Sequence, residues 1–222
     1  MEIYVDTANI EHIRHAASLG FISGVTTNPS LLAKESPNID IKERLLEIHK
    51  LVGGHLSVEV NSLKADEMVR EADQILSWFP EATIKIPMIP EGLSACSRLA
   101  KRGIPTNVTL VFSATQAIAA NNAGAAYVSV FMGRLDDVAQ NSEQTLLEVG
   151  DIWDIQGYSS KIIAASIRHP LHIIQAAKAG AHIATVPYNV IMQSLKHPLT
   201  DKGVELFVND YEKMMAEKSK LV

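Results

Sequence analysis

The sequence predicts an α/β protein folded as a (β/α)8 TIM barrel with an extra C-terminal helix. Three observations predict it. Short β-branched runs recur eight times along the 222 residues. Each is followed by a segment whose apolar residues repeat with the helical period. No long polar linker breaks the alternation. Strand–helix alternation of this kind argues for a parallel sheet, and eight units argue for closure into a barrel where five or six would argue for an open sheet. One sizeable core fits this length, so residues 1–222 are expected to form a single barrel domain.

The strands are expected near Ile3–Asp6, Gly24–Thr27, Leu56–Val60, Thr83–Ile86, Ile104–Val108, Ala126–Val130, Lys161–Ala165 and His182–Val186. Between the first two, Ile10–Leu19 carries Ile10, Ile13 and Ala17 on one stripe and stops at Gly20, a usual helix terminator. Lys64–Phe79 places Met68, Val69, Ala72, Ile75, Leu76 and Phe79 on one stripe. A last helix is expected over about 201–217, with Thr200 as N-cap and an apolar stripe of Val204, Phe207, Val208, Tyr211, Met214 and Met215. It follows the eighth strand, so its stripe must cover either the barrel or another subunit.

Composition narrows the function classes. Hydrophobic residues make up 47% and charged residues 20%, which is the balance of an ordinary globular protein. The net charge is −5 and no basic block occurs, so no nucleic-acid partner is expected. The single cysteine, Cys96, allows no intrachain disulfide and reads as a small buried hydrophobe on a helix, which fits a reducing compartment. The first residues lack the pattern of a secretory signal, and no apolar run approaches the ~20 residues that span a bilayer. A cytoplasmic location and no membrane partner are expected. The first βα turn lacks G-x-G-x-x-G and no Walker-type Gly-Lys-Ser/Thr appears, so nucleotide binding has little support. His12/His15 and His169/His172 are pairs three residues apart, but nothing nearby completes a ligand set, so no metal is expected.

Alternation then divides each strand into two faces. Ile84 and Ile86 oppose Thr83 and Lys85; Val58 and Val60 oppose Ser57 and Glu59; Ile3 and Val5 oppose Tyr4 and Asp6. Val108 and Leu110 oppose Asn107 and Thr109, and Ile163 and Ala165 oppose Ala164 and Ser166. With the apolar faces toward the helices, the barrel interior receives Asp6, Asn28, Glu59, Lys85, Asn107, Thr109 and Ser166, all at carboxyl ends of strands. Barrel enzymes hold their active sites at that end.

An isolated lysine such as Lys85, in Thr-Ile-Lys-Ile-Pro, would more often be a solvated strand cap. Its inward parity reverses that reading. A desolvated lysine favours its neutral amine, which can attack a ketone to give a Schiff base, the electron sink for carbon–carbon cleavage. Asp6 and Glu59 read equally well as a general base or as the neutralising partner of Lys85. Asn28, Asn107 and Thr109 either bond substrate hydroxyls or a water, or satisfy backbone groups at strand ends. Ser166 and Arg168, in Ala-Ala-Ser-Ile-Arg-His-Pro, open the helix after the seventh strand and suit a phosphate cradle. Arg134 adds a second guanidinium, or else pairs at the surface with Asp136 or Asp137.

These residues stand in longer runs: Val-Asp6-Thr-Ala-Asn, Gly-Val-Thr-Thr-Asn28-Pro-Ser, Val-Glu59-Val, Ile-Lys85-Ile-Pro, Thr-Asn107-Val-Thr109-Leu-Val-Phe-Ser, Phe131-Met-Gly-Arg134-Leu-Asp-Asp and the Ser166–Arg168 run. In these, in order and over the whole length, the chain resembles the transaldolase family, specifically its short single-barrel branch. The resemblance implies a transferase of the pentose phosphate pathway. It would move a dihydroxyacetone unit from sedoheptulose 7-phosphate or fructose 6-phosphate to glyceraldehyde 3-phosphate or erythrose 4-phosphate. Lys85 would form the Schiff base, Asp6 would take the C4 hydroxyl proton, and Glu59 with Thr109 would hold the water of carbinolamine dehydration. Asn28 and Asn107 would orient the dihydroxyacetone unit, and Arg134, Ser166 and Arg168 would bind phosphate. No metal or organic cofactor is implied. The same family holds fructose-6-phosphate aldolases, which release free dihydroxyacetone; there a glutamine stands in place of Glu59 and a tyrosine in place of Phe131. The residues present imply transfer. The resemblance also implies a homo-oligomer, a decamer built from pentameric rings, with the terminal helix packed on a neighbour. Rival readings are a phosphosugar isomerase with Glu59 as base and Lys85 as an electrostatic clamp, and a non-catalytic phosphosugar-binding barrel.

Overall fold

A computed structural model describes residues 1–35 and 40–219. Eight parallel strands close into a barrel in chain order, β1 next to β2 and onward to β8, which pairs back to β1. They are β1 (Glu2–Asp6), β2 (Ile22–Thr26), β3 (His55–Glu59), β4 (Thr83–Pro87), β5 (Thr106–Val111), β6 (Tyr127–Phe131), β7 (Lys161–Ala165) and β8 (Ile183–Val186). The described helices are α1 (Ile10–Ser18), α2 (Pro29–Glu35), α3 (Ile41–Val52), α4 (Ala65–Trp78), α5 (Pro90–Ala100), α6 (Ala114–Asn122), α7 (Met132–Asp136), α8 (Ser142–Gln156), α9 (Pro170–Lys178), α10 (Tyr188–Ser194) and α11 (Pro198–Ser219). The (β/α)8 barrel with an extra C-terminal helix is therefore the fold.

Local chemistry starts and stops these helices. Asn9, Asp40, Ser113 and Asn141 each accept a hydrogen bond from the backbone N–H three residues on, the usual satisfaction of a first-turn donor. Proline opens α5 and α9, where its missing N–H costs nothing. Against the helices, the outer strand faces bury residues such as Val5, Ile84, Val108 and Ile162, which meet Ile13, Met68, Leu99 and Leu146. Inside the barrel floor a separate apolar group forms from Tyr4, Ile163 and Ile183, with Tyr127 packed on it. Gly24 makes room for this floor, because a Cβ there would lie 2.9 Å from the Tyr4 ring and 3.0 Å from the His55 carbonyl.

Four expectations change. β5 starts at Thr106 where Ile104 was expected, since Pro105 has no N–H to give a ladder. β5 also carries a bulge: Val108 pairs with Val128 but Val111 with Val130, and Leu110 takes φ +62°. The parity of β7 is reversed. Ile163 lies in the interior floor and Ala165 lines the interior cavity, while Ile162 and Ala164 face the helices. Thr200 is not an N-cap, because α11 already begins at Pro198.

Candidate active site

Register sets the site. Asp6 pairs with Thr26 across β1–β2, Glu59 with Lys85 across β3–β4, and Lys85 with Asn107 across β4–β5. Residues in register share a level, so these side chains meet at one height near the carboxyl ends. There a cavity of about 110 Å³ is lined by Asp6, Asn28, Lys85, Asn107, Thr109, Phe131, Arg134 and Ser166. Eight of the ten residues expected in the site thus share one cavity.

Lys85 is 7% exposed. Its Nζ donates to the Thr27 carbonyl at 3.1 Å and lies 2.9 Å from Glu59 Oε2. The ion pair is close but off-axis, since that oxygen accepts no aligned hydrogen bond. Thr109 Oγ1 is also buried without a partner among the described residues. Buried polar atoms of this kind are normally satisfied by water or ligand. Glu59 does not line this cavity; it lines a more apolar one of about 370 Å³ beside α2 and α3, which Asn28 also borders, and meets the first through its ion pair with Lys85.

Asp6 Oδ1 accepts from the Thr26 hydroxyl at 2.7 Å. Thr26 also contacts the Thr185 hydroxyl. Burial pushes the Asp6 carboxyl above the usual carboxylate range; the Thr26 hydrogen bond and the Lys85 charge oppose this only in part, and the Glu59 charge adds to it. Asn107 is fully buried; its Nδ2 donates to Ser57 Oγ at 3.1 Å and its Oδ1 accepts from Ser129 Oγ at 2.8 Å. Asn28 caps α2, its Oδ1 accepting from Leu31 N at 2.9 Å.

The expected anion cradle is arranged differently. Ser166 and Arg168 precede α9 in a turn, so no helix N-terminus forms there. Ser166 reaches the cavity through φ +58°, which breaks strand alternation just after β7. Its carbonyl accepts from Gly133 N at 2.9 Å. Arg168 stays outside the cavity lining; half-exposed, it donates to Asp137 at 2.7 Å. Arg134 pairs with neither Asp136 nor Asp137. Its guanidinium lies 5.3 Å from the Phe131 ring centre, within cation–π range. Asp136 instead accepts from His172 Nε2 at 2.8 Å, while His172 Nδ1 accepts from Arg168 N at 3.3 Å. Burial and the neighbouring His169 hold His172 below its ordinary value.

Three further polar residues line the cavity: Thr26, Ser129 and Thr185. Thr26 stands two residues before Asn28 and Ser129 two before Phe131, so strand parity carried the signal for both. The other histidine pair and the cysteine have ordinary surroundings. His12 stacks on Tyr188, and His15 meets the Tyr188 hydroxyl at 2.7 Å. Cys96 is buried against Thr106, and burial pushes its thiol up. No helix among the described residues is long and apolar enough to cross a membrane.

Comparison with known proteins agrees with this geometry. The family described as Transaldolase/Fructose-6-phosphate aldolase matches residues 3–221. A probable transaldolase of Geobacillus thermodenitrificans is 52% identical, covering 96% of this chain and 99% of the relative. A probable transaldolase of Alkaliphilus metalliredigens is 53% identical, covering 96% and 98%. One from Desulforudis audaxviator is 54% identical, covering 96% and 99%. A family match over nearly the whole length, with relatives above half identity, carries one conclusion: the chain belongs to the transaldolase/fructose-6-phosphate aldolase family.

Proposed function

We propose that this protein is a transaldolase acting through a Schiff base on Lys85, in the cytoplasm and in the pentose phosphate pathway. The observation that carries the reading is a lysine buried in the barrel mouth, paired with one carboxylate and level with an amide. Proton transfer from Lys85 to Glu59 frees the amine. The amine adds to C2 of a ketose phosphate, sedoheptulose 7-phosphate or fructose 6-phosphate, giving a carbinolamine. Loss of water leaves the iminium, with Glu59 and Thr109 holding that water by hydrogen bonds. Asp6 takes the proton from the C4 hydroxyl, the C3–C4 bond breaks, and the electron pair passes into an enamine on Lys85. A carboxyl raised by burial suits that proton, because it is poised nearer neutrality than an exposed aspartate. The aldehyde departs. The enamine then adds to glyceraldehyde 3-phosphate or erythrose 4-phosphate, Asp6 returns its proton, and hydrolysis frees the lysine.

Asn28 and Asn107 orient the dihydroxyacetone hydroxyls. Arg134 and Ser166 hold the phosphate, joined by Arg168 when it leaves Asp137. Transfer is favoured over release of free dihydroxyacetone because Phe131 has no hydroxyl to protonate the enamine. The exposed stripe of α11 supports a homo-oligomer, with the decamer of pentameric rings as the assembly that the resemblance implies. Borohydride with fructose 6-phosphate is expected to add a reduced dihydroxyacetone unit to Lys85, read by peptide mass. No adduct, or full activity in Lys85→Ala, refutes the reading. Phe131→Tyr, assayed without acceptor, is expected to accumulate free dihydroxyacetone faster than the wild type.

A further inference from the structure

The Asn107 amide lies between two hydroxyls, Ser57 Oγ on β3 and Ser129 Oγ on β6. A hydroxyl can donate or accept, so these two neighbours alone do not say which end of the amide faces which strand. The two orientations matter. With Oδ1 toward Ser129 and one Nδ2–H on Ser57, the amide offers its second N–H to the cavity. Turned over, it offers a carbonyl lone pair instead. One suits the oxygen of a substrate hydroxyl as acceptor, the other its proton.

The choice is made one level lower. His55 Nε2 lies 2.8 Å from Ser57 Oγ. Its ring is stacked on Tyr4, with centroids 5.3 Å apart, and meets Tyr127 edge-on at 4.5 Å. The charged groups acting on it are Glu2 of β1 and Lys161 of β7, which pair with each other at 3.1 Å. Burial among the aromatic rings pushes the imidazole down to about 4, so it is neutral at working pH. In the orientation with Nδ2 toward Ser57, Ser57 Oγ accepts from Asn107, and among the described residues its own proton then has no other acceptor than His55. A neutral His55 with its proton on Nδ1 takes that proton on Nε2. Every hydrogen bond then runs in one direction: Ser129 to Asn107, Asn107 to Ser57, Ser57 to His55.

We propose that His55 is a positioning residue: through Ser57 it fixes which end of the Asn107 amide faces the substrate, so that the barrel floor sets hydrogen-bond polarity in the catalytic layer. The kinetic part of this inference rests on the aldol reading of the site; the tautomer part does not.

His55→Phe keeps a ring between Tyr4 and Tyr127 and removes the acceptor. Its KM for the ketose phosphate is expected to rise about tenfold, the size of one lost hydrogen bond, with the melting temperature within a few degrees of wild type. His55→Gln, which restores a carbonyl acceptor, is expected to recover most of the loss. In a Ser57→Ala background, where the relay is already cut, His55→Phe is expected to change KM less than twofold. A role limited to packing would instead lower kcat with the folded fraction and leave KM alone. A wild-type KM in His55→Phe, or effects of His55→Phe and Ser57→Ala that simply add, overturns the proposal. Nitrogen-15 shifts of the His55 ring test it without any turnover: a bare Nε2 is expected at neutral pH, and a protonated Nε2 overturns the relay. A protein that shows the bare Nε2 but gives no borohydride adduct on Lys85 keeps the relay and loses the aldol reading.

Discussion

Asp6 places a carboxyl where burial makes charge costly. Its raised folded-state value means that the native protein binds a proton more tightly than the unfolded chain does. From 3.8, the ordinary aspartate value, up to the folded value, stability therefore falls as pH rises. Above 3.8, burying this carboxyl is a net cost to the fold. Asp6→Asn removes the charge and keeps an oxygen for the Thr26 hydroxyl. The variant is expected to melt a few degrees higher at pH 7, with the gain disappearing as pH falls to about 4, and to lose on the order of a hundredfold or more in kcat. Calorimetry at both pH values beside a transfer assay checks this; a lower melting temperature at pH 7 refutes it. Single residues of this kind were largely legible in the sequence. Asp6, Glu59 and Lys85 are charged residues at inward positions of otherwise apolar strands, and the strand period alone placed them. Hydrogen-bond direction around Asn107 was not legible, because it depends on Ser57, Ser129 and His55 meeting across three strands.

At the scale of elements, α7 and the turn after β7 approach each other closely at the site. A Cβ on Gly133 would lie 2.4 Å from the Ser166 carbonyl oxygen and 2.5 Å from Arg168 Cγ. The first of these is backbone, so the turn itself must move. Gly133→Ala is expected to cost about 1–3 kcal/mol, as other overpacked sites do, and to raise the KM for phosphorylated ketoses because Ser166 lines the cavity. Denaturant melts and donor kinetics check both halves; wild-type values for both would show that the turn yields freely. The parity of the adjoining β7 shows where pattern reading fails. Ile162, Ile163, Ala164 and Ala165 are apolar on both faces, as strands buried on both sides usually are, so alternation holds no signal to orient them. Ser166 then reaches the cavity through a left-handed residue, which no side-chain period encodes. The bulge in β5 is hidden for the same reason: Leu110 at φ +62° is a backbone feature that side-chain pattern does not encode.

On the scale of the whole molecule, α11 is the element that the barrel leaves unexplained. It spans Pro198–Ser219 and buries none of its residues. Phe207 is 74% exposed, and Val204, Val208, Tyr211, Met214 and Met215 are exposed around it. The stripe was read from the sequence correctly as apolar, and the open question of what it covers is narrowed, since the barrel does not take it. An isolated helix of this length is marginal in water, and a contiguous apolar patch of this kind marks an association surface. A second copy of the chain is the partner that every solution of the protein contains, and repetition of one contact around an axis closes a ring. Wild-type protein at micromolar concentration is therefore expected to elute as a large assembly with its mass measured by light scattering. Phe207→Glu combined with Tyr211→Lys places charge at the centre of the stripe and is expected to release smaller species. Their far-ultraviolet spectrum should keep the barrel signal and lose helicity in proportion to α11. No residue lining the site lies on α11, so Lys85 should still trap dihydroxyacetone in the dissociated form. A wild-type protein that is monomeric at that concentration, with α11 still helical, would remove association as the reason for the stripe.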